Sequence, residues 1–367
     1  MKVTTIVGAR PQFVKAAPVS RALAARGVAE ALVHTGQHYD PQLSDVFFEQ
    51  LKLRQPDHHL GVGSAAHGAQ TGRMLEAIES VLTAGRPDWV LVYGDTNSTL
   101  AGALAAAKLG IPIAHVEAGL RSFNRAMPEE INRVVADHLS ALLLCPTEAA
   151  VRNLAAEGIT RGVHLVGDVM YDSVLYNTRL AEQAPSPLKA MGLAERGYYL
   201  ATLHRPANTD DPARLSRLMA MLGGLDAPVV LPLHPRTARA LATAEIAVSP
   251  GQLRATPPAS YLDMLTLERH ARGIITDSGG VQKEAYFFGV PCITLRAETE
   301  WVETVEAGWN TLVDCDAERF RAAVDEVARW TGDAAPFGKG ATSRRDLYGD
   351  GHAAEAIVEI LLDTSRH

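Results

Sequence analysis

Two carboxylates follow apolar segments of the sequence, each close to the point where its segment ends. Asp95 comes shortly after Trp89–Tyr93, and Glu117 directly follows Ile113–Val116. Carboxylates held near one another can remove and return a proton, as a general base and acid do. Asp95 has an alternative interpretation as a helix cap, since aspartate is favoured at that position. For Glu117 a structural role is the weaker alternative, because a glutamate after apolar residues rarely lacks a partner.

A third carboxylate, Glu129, follows Pro128 at the predicted start of a helix. Proline suits the first helical turn, and apolar residues recur at helical spacing from Ile131 onward. The structural alternative for Glu129 is compensation of the helix dipole. We favour a functional role because this helix begins beside a loop that contains Arg121 and Arg125.

In the second half of the chain, His204 and Arg205 follow the apolar segment Tyr198–Thr202. An arginine and a histidine at such a position resemble a phosphate clamp, and histidine can protonate a leaving oxygen. The alternative is a hydrogen-bonded structural histidine. We favour that alternative for His234, which precedes a proline in a similar segment.

The most specific local pattern is the segment Thr276–Glu284, which reads TDSGGVQKE. It follows a short apolar run and is expected to open a helix. The backbone N–H groups of Ser278, Gly279 and Gly280 can bind a diphosphate at the helix N-terminus. Glu284, one turn later, can reach a diol such as a ribose. The alternative is that the glycines only allow the helix to pack closely on a strand.

Further cations are predicted at strand ends. Arg10 and Lys15 follow the first strand after Gly8, and Arg296 follows a later strand. For Arg10 we favour ligand binding over a plain surface position, whereas for Lys15 both interpretations stay open. The first turn is not the G-x-G-x-x-G pattern of dinucleotide sites. No D-x-D pattern or histidine cluster suggests a metal, so we expect neither a metal nor a cofactor.

These residues must be positioned by alternating strands and helices, which indicate an α/β fold with parallel sheets. In such sheets ligands bind at the carboxyl ends of the strands. The alternation pauses near residues 170–190, where Gln183–Lys189 is proline-rich and linker-like. We therefore predict a catalytic domain over residues 1–172 and a nucleotide-binding domain over residues 173–350. Whether a last helix within residues 351–367 crosses back to the first domain stays open. The predicted strands are Val3–Val7, Ala31–Thr35, Trp89–Tyr93, Ile113–Val116, Leu142–Cys145, Val163–Val166, Tyr198–Thr202, Val229–Leu233, Gly273–Thr276, Cys292–Leu295 and Thr311–Val313.

Composition restricts the class of protein. Of 367 residues, 47% are hydrophobic and 21% charged, and the net charge is −7. This balance argues against nucleic acid or an anionic membrane as the main partner. The N-terminus reads as a strand rather than an export signal, and no apolar run is long enough to span a bilayer, so we expect a cytoplasmic protein. Three cysteines are expected to be small buried hydrophobic residues: Cys145, Cys292 and Cys315.

Taken together, several sequence motifs match those of a known protein family over nearly the whole chain. In order, they are GARPQFVK, TGQHYD, YGDTNST, HVEAGLRS, MPEEINR, TLHRPAN and TDSGGVQKEA. The sequence resembles the non-hydrolysing UDP-N-acetylglucosamine 2-epimerases. The resemblance implies two doubly wound Rossmann-like domains that face each other across a cleft, as in type B glycosyltransferases and glycogen phosphorylase. It also implies a UDP-sugar substrate and a homodimer.

The resemblance further implies that UDP leaves carbon 1 while a base removes the proton of carbon 2. A glycal-like intermediate is then protonated on the other face, and UDP returns. The catalytic positions of the family fall on Asp95, Glu117, Glu129 and His204. The positions that bind UDP or sugar fall on Arg10, Lys15, Arg205, Ser278, Gly279, Gly280, Glu284 and Arg296.

Three departures from the family pattern leave alternatives open. The loop from Arg121 to Pro128 is short, Glu298–Glu303 replaces a TERPE-like stretch, and Asp40 lies by a region where some members bind an activating UDP-sugar. The alternatives are a 2-epimerase of a related sugar such as UDP-2,3-diacetamido-glucuronate, a hydrolysing 2-epimerase, a retaining glycosyltransferase of the same fold, and a non-catalytic nucleotide-sugar sensor. Which carboxylate acts on which face of the sugar also stays open.

Overall fold

The computed structural model describes residues 1–37, 53–246, 252–332, 334–337 and 347–365. The chain divides into two compact units. Unit 1 comprises Met1–Leu175 with Asp346–His367, and unit 2 comprises Tyr176–Arg345. No helix among the described residues is long and apolar enough to cross a membrane.

Unit 1 is built on a parallel sheet whose strands alternate with helices along the chain. The strands are β1 (Lys2–Val7), β2 (Ala29–His34), β3 (His58–His59), β4 (Trp89–Tyr93), β5 (Ile113–Val116), β6 (Leu142–Cys145) and β7 (Val163–Leu165). The helices are α1 (Arg10–Ala25), α2 (His67–Gly85), α3 (Asn97–Lys108), α4 (Pro128–Leu139), α5 (Glu148–Ala156) and α6 (Val169–Ala181), the last of which continues into unit 2.

Within the described residues, the strand order of this sheet is β3-β2-β1-β4-β5-β6-β7. The chain builds outward in one direction from β1 and in the other from β4. Loops at such a switch point diverge and leave a crevice at the carboxyl ends of the two strands. The turns after β1 and β4 carry Arg10 and Asp95, so these predicted site residues lie at the switch point of unit 1.

Unit 2 contains a second parallel sheet. Its strands are β8 (Tyr199–Thr202), β9 (Val229–Pro232), β10 (Leu253–Thr256), β11 (Gly273–Thr276), β12 (Cys292–Thr294) and β13 (Asn310–Leu312). Its helices are α7 (Pro187–Met191), α8 (Pro206–Thr209), α9 (Pro212–Gly223), α10 (Pro235–Thr243), α11 (Tyr261–His270), α12 (Gly279–Phe288), α13 (Val302–Glu306) and α14 (Ala317–Arg329). The described strands lie in the order β10-β9-β8-β11-β12-β13, so the switch point falls between β8 and β11.

Side chains from alternate positions of these strands enter two different apolar clusters. Tyr199 and Ile275 belong to one cluster, and Leu200 and Ile274 belong to the other. Successive strand residues point to opposite faces, so both faces of this sheet are covered. The α/β class with two parallel sheets, predicted from the sequence, is confirmed.

The strands β3 and β10 were not predicted from the sequence, and the prediction for the segment Gln183–Lys189 was wrong in part. β3 consists of two exposed histidines, and β10 is an edge strand with two exposed residues, so neither carries the apolar run of a buried strand. The interpretation of Gln183–Lys189 as linker-like was wrong in part, because α7 begins at Pro187 within it. Proline favours the first helical position as well as turns, which explains the error.

The last helix, α15 (Ala353–Thr364), lies in unit 1 and packs against α1. The buried carboxylate of Asp172 accepts hydrogen bonds from the backbone N–H groups of Ala353 (3.2 Å) and Ala354 (2.7 Å). Asp172 thereby caps two of the orphan N–H groups at the start of α15.

Candidate active site

A buried glutamine holds the turn that follows β1. Gln12 Oε1 accepts hydrogen bonds from the backbone N–H groups of Gly8 (2.8 Å) and Ala9 (3.1 Å). Its amide nitrogen donates to the carbonyl of Tyr93 (2.9 Å) and to the hydroxyl of Thr99 (3.0 Å). One side chain therefore ties the β1 turn to the end of β4 and fixes the start of α1.

Lys15 and Glu117 form an ion pair at this edge of the sheet. Their side chains are only 13% and 5% exposed, so each compensates the charge of the other in a largely buried place. Glu117 has a φ of +69°, a left-handed conformation that is uncommon for a residue with a side chain. A Cβ atom on Gly94 would lie 3.1 Å from Glu117 Oε2 and 3.2 Å from Lys15 Nζ. The pair thus lies directly over Gly94.

The Asp95 carboxylate pairs with Arg133, which projects from α4. Asp95 does not cap α3, because Thr96 occupies the cap position and its hydroxyl accepts a hydrogen bond from the N–H of Thr99 (3.3 Å). The alternative interpretation of Asp95 as a helix cap was therefore wrong. Its side chain is 34% exposed, which leaves the carboxylate accessible beside its arginine partner.

Helix α4 begins at Pro128 as predicted, but it buries a polar face. Glu129 is exposed, whereas Glu130 is 3% exposed and accepts hydrogen bonds from Ser122 N, Ser122 Oγ and Phe123 N, each at 2.9 Å. Ile131, which contributed to the predicted apolar spacing, is 46% exposed. The two adjacent glutamates therefore differ in role: Glu130 anchors the preceding loop, and Glu129 stays accessible at the helix N-terminus.

Beneath Glu117 lies a buried network that sequence reasoning missed. His115 contacts Asp137 Oδ1 through Nδ1 and the carbonyl oxygen of Gly94 through Nε2, both at 2.7 Å. Asp137 Oδ2 accepts hydrogen bonds from Gly119 N (3.1 Å) and from the Arg121 guanidinium (2.7 Å). Burial favours a higher pKa for the Asp137 carboxyl, but His115 and Arg121 together hold that pKa below its usual value. The network fixes the backbone on both sides of Glu117.

In unit 2, Asp277 organises the switch point and was also missed as a site residue. It is fully buried, and its carboxylate accepts hydrogen bonds from the backbone N–H groups of His204 (3.0 Å) and Arg205 (2.9 Å) and from Asn208 Nδ2 (3.1 Å). His204 Nδ1 lies 3.2 Å from Asp277 Oδ1. One carboxylate therefore orients both the backbone and the imidazole of the predicted histidine.

The surroundings of His204 favour the neutral form of its imidazole. Burial lowers the pKa of His204; Asp277 opposes this effect, while Arg205 and Arg236 add to it. The ring of His234 lies 5.3 Å from the ring of His204, and its Nδ1 accepts a hydrogen bond from Arg236 N (3.1 Å) at the start of α10. His234 is therefore hydrogen-bonded as predicted, and its assignment to a structural role stays a prediction.

Helix α12 begins at Gly279, with Ser278 as its cap residue. A Cβ atom on Gly279 would overlap Oε1 of Glu300 and lie 3.2 Å from Trp301 Nε1. A side chain at position 279 would therefore have to displace the Glu300 carboxylate from the helix N-terminus.

Glu300 had not been predicted as a site residue. Its Oε2 lies 3.0 Å from the Arg296 guanidinium, and its Oε1 lies 3.8 Å from that of Arg205. Burial favours a higher pKa for Glu300, but Arg296 and Arg205 hold that pKa below its usual value. Two arginines and a helix N-terminus thus surround one anionic group, which is the chemistry of a phosphate site.

Other predictions have simpler outcomes. Arg10 is the exposed first residue of α1, and Glu284 is 6% exposed on α12. Cys145 and Cys292 are buried, and Cys315 is partly buried. Asp40 lies outside the described residues. In the part of the chain that the structure describes, no group of three His, Cys, Asp or Glu side chains could hold a metal ion.

Comparisons with known proteins add to this geometry. The family model described as UDP-N-acetylglucosamine 2-epimerase matches residues 21–362. A UDP-2,3-diacetamido-2,3-dideoxy-D-glucuronate 2-epimerase of Pseudomonas aeruginosa is 49% identical over 98% of this chain and 99% of its own length. The crystal structure of the Methanocaldococcus jannaschii UDP-GlcNAc 2-epimerase in complex with UDP-GlcNAc and UDP has a TM-score of 0.88 and 41% identity, covering 99% of this chain and 100% of that one.

A calicheamicin glycosyltransferase shares the fold at 15% identity, with a TM-score of 0.58 over 99% of this chain and 98% of its own. The likeness of the fold to that of type B glycosyltransferases is thereby confirmed.

Proposed function

The chain belongs to the UDP-N-acetylglucosamine 2-epimerase family, and we propose that it interconverts UDP-N-acetylglucosamine and UDP-N-acetylmannosamine. Carbon 2 carries an amide nitrogen and has no adjacent carbonyl, so its proton is too weakly acidic for simple abstraction. Loss of UDP from carbon 1 while a base takes the carbon 2 proton circumvents this difficulty. Protonation of the glycal-like intermediate on the opposite face and return of UDP complete the inversion.

The observation that carries this proposal is the placement of Asp95 and Glu117 after the adjacent strands β4 and β5. Each is fixed by a cation from another helix, Arg133 for Asp95 and Lys15 for Glu117. Two carboxylates held independently can remove a proton on one face of carbon 2 and return one on the other. Glu129, accessible at the start of α4, is the third proposed catalytic carboxylate.

The second group of residues serves the nucleotide. Arg205, Arg296 and the N-terminus of α12 enclose the Glu300 carboxylate, and the diphosphate of UDP is proposed to take the place of that carboxylate. Arg10 in unit 1 is proposed as a further residue that binds UDP or the sugar, and Glu284 is proposed to bind the ribose. UDP must stay bound between its departure and its return, which requires strong anion binding.

His204 is proposed to assist the departure and return of UDP. Burial and two arginines lower the pKa of its imidazole, which favours the neutral form before the ligand binds. The negative charge of a diphosphate favours the protonated form of a nearby imidazole. Binding of UDP would therefore supply the proton that stabilises the leaving phosphate oxygen.

A second substrate is favoured by a specific observation. The Pseudomonas aeruginosa relative, named for UDP-2,3-diacetamido-2,3-dideoxy-D-glucuronate, has higher identity to this chain than the Methanocaldococcus jannaschii enzyme has. We therefore keep UDP-2,3-diacetamido-glucuronate as the alternative sugar, with the same chemistry at carbon 2.

The test is proton NMR of the protein with UDP-N-acetylglucosamine in deuterated buffer without added metal. We expect UDP-N-acetylmannosamine with deuterium at carbon 2, because the removed proton exchanges with solvent. The Asp95→Asn variant is expected to lose this incorporation. Asp88→Asn is the matched control, since Asp88 is exposed at the opposite end of β4 and accepts a hydrogen bond from Lys2 N (2.7 Å).

Each other outcome has a distinct meaning. Free sugar and UDP would show a hydrolysing enzyme. If the protein converts only UDP-2,3-diacetamido-glucuronate, that sugar is the substrate in place of UDP-N-acetylglucosamine, and the proposed mechanism still holds. Full turnover by Asp95→Asn would refute the role of that carboxylate. No reaction with either sugar would refute the proposed function and favour a glycosyltransferase or a nucleotide-sugar sensor.

A further inference from the structure

His115 on β5 has an oxygen atom close to each of its two ring nitrogens. Nδ1 lies 2.7 Å from Asp137 Oδ1, and Nε2 lies 2.7 Å from the carbonyl oxygen of Gly94. The side chains of His115 and Asp137 are completely buried. A nitrogen and an oxygen this close need a hydrogen atom between them, because two lone pairs would otherwise repel. Each of the two contacts therefore contains a proton.

The chemistry of the two oxygen atoms shows where these protons are. A carbonyl oxygen only accepts hydrogen bonds, so Nε2 of His115 donates to Gly94. Asp137 also accepts from the Arg121 guanidinium (2.7 Å) and from the N–H of Gly119 (3.1 Å) through Oδ2. A guanidinium at this distance favours the ionised form of the carboxylate, which has no proton to donate. Nδ1 therefore holds the second proton, and His115 is an imidazolium.

The balance of charge in this cluster supports a positive His115. Arg121 binds Asp137 and also Glu157, whose two carboxylate oxygens lie 2.7 and 2.8 Å from the guanidinium. With a neutral His115, two carboxylates would face one cation. With an imidazolium, two cations face two carboxylates, which is the condition under which buried charges are tolerated. The neighbouring thiol of Cys145 adds no charge, because burial raises its pKa to about 12.

The backbone held by this cluster carries both proposed acid–base carboxylates. Gly94 directly precedes Asp95, and a Cβ atom on Gly94 would lie 3.1 Å from Glu117 Oε2. On the other side of Glu117, Asp137 holds the N–H of Gly119. The φ of Glu117 is +69°, a conformation that persists only where the surrounding structure fixes it. The place of the Gly94 carbonyl therefore affects the place of both carboxylates.

We infer that His115 is a positively charged positioning residue, whose imidazolium holds the carbonyl oxygen of Gly94 and thereby fixes Asp95 and Glu117 for transfer of the carbon 2 proton. This inference rests on the proposed function, because it assumes that these two carboxylates move that proton. It adds a residue that acts only through others, since complete burial keeps His115 away from the sugar.

The charge on His115 is tested by NMR of the full-length protein with isotopically labelled histidine nitrogens. At about pH 8 an ordinary histidine is neutral and has one protonated ring nitrogen. We expect one histidine with protons on both ring nitrogens at this pH, and its signals should be absent from His115→Gln. If no histidine of the wild type has both nitrogens protonated, the inference is overturned, and this result needs no variant to fold.

The positioning role is tested by two variants that remove the charge equally. The amide nitrogen of glutamine lies near the place of Nε2, so His115→Gln keeps a donor for Gly94. The amide nitrogen of asparagine lies near the place of Nδ1, so His115→Asn keeps a donor only for Asp137. We expect kcat of His115→Asn to be about tenfold or more below that of His115→Gln, because catalysis depends steeply on the placement of the reacting groups. The Kd for UDP should change by less than about twofold in both, since the proposed diphosphate site lies in unit 2.

Ile113→Ala is the control for a loss of packing, because Ile113 is a buried apolar residue of the same strand. It should lower stability and leave kcat close to that of the wild type. Equal kcat values for His115→Asn and His115→Gln, or an equal fall in Ile113→Ala, would overturn the inference and leave the proposed function intact. A rise in the Kd for UDP that matches the fall in kcat would overturn it as well. A wild type that epimerises neither sugar would overturn the proposed function, and the positioning role with it.

Discussion

A Cβ atom on Gly94 would lie 3.1 Å from Oε2 of Glu117, closer than an ordinary van der Waals contact, so the absence of a side chain at Gly94 gives the carboxylate its present place. The glycine also has a φ of +61°, and its carbonyl oxygen contacts His115 Nε2 at 2.7 Å. One small residue therefore satisfies three demands: a left-handed turn, a close approach of Glu117, and a link to the network beneath it.

Gly94→Ala should reduce kcat/KM strongly, because the new methyl group displaces Glu117 or Lys15. The contacts of 3.1 and 3.2 Å require a shift of these side-chain ends, and loss of precise positioning of a catalytic group lowers the rate. Gly27→Ala is the matched control: its φ is +65° and no atom lies within 4 Å of the new Cβ. Both variants should lose about 1 kcal/mol of stability from the left-handed conformation, and only Gly94→Ala should lose activity. Equal activity of the two variants in a steady-state assay would contradict the proposed role of Glu117.

Asp137→Asn should destabilise unit 1, because it leaves the buried Arg121 guanidinium without one of its two carboxylate partners. Removing one member of a buried ion pair costs about 3 kcal/mol or more. The control is Glu157→Gln, which removes the other partner of Arg121 at a side chain that is 29% exposed. An ion pair that is accessible to solvent contributes about 1 kcal/mol or less to the free energy of unfolding. Urea unfolding curves measure the difference, and equal losses for the two variants would argue against a buried, essential Asp137.

Stability should decrease between about pH 4 and about pH 6 because of Asp172. Burial raises the pKa of its carboxyl from 3.8 to about 6, although the N–H groups of Ala353 and Ala354 oppose this effect. The folded chain therefore keeps a proton that the unfolded chain has already lost, so the free energy of unfolding falls as the pH rises through this window. A pKa shift of this size changes the free energy of unfolding by roughly 3 kcal/mol across the window.

The Asp172→Asn variant should lack that decrease, since an amide does not titrate. Asp211→Asn is the comparison, because Asp211 also caps a helix and accepts a hydrogen bond from Ala213 N (2.9 Å) on the surface. Urea unfolding at about pH 4 and about pH 7 gives the difference for each protein. If the wild type is equally stable at both pH values, or if Asp172→Asn shows the same decrease in stability, Asp172 does not cause the decrease.

Binding of UDP near neutral pH should be accompanied by proton uptake at His204. Burial, with Arg205 and Arg236, lowers the pKa of the imidazole, and the negative charge of a bound diphosphate is expected to oppose that effect. Calorimetry in two buffers of different ionisation enthalpy measures the number of protons taken up. His204→Gln should abolish the uptake, and His138→Gln, which changes an exposed histidine on α4, should retain it. Uptake that persists in His204→Gln would assign the proton to another group.

The sequence by itself determined the features that depend on local chemistry. Apolar runs located the buried strands, Pro128 located the start of α4, and the pattern Ser278–Gly280 located the N-terminus of α12. Because parallel strands place their carboxyl ends at one edge, the same information placed Asp95 and Glu117 at one edge of the sheet, after the neighbouring strands β4 and β5. These inferences succeed because each uses only neighbours in the chain and the regular geometry of a strand or helix.

Only the tertiary structure decided which polar residues are buried and what they pair with. The sequence could not distinguish Glu129 from Glu130, since the difference arises from the loop that folds onto α4. Lys15 and Glu117 are 102 residues apart, and His204 and Asp277 are 73 apart, so no local pattern relates them. The roles of Asp277, Asp137 and Glu300 depend on such distant partners. A polar residue is tolerated in a core only when its partner is present, and the partner becomes known only when the chain is folded.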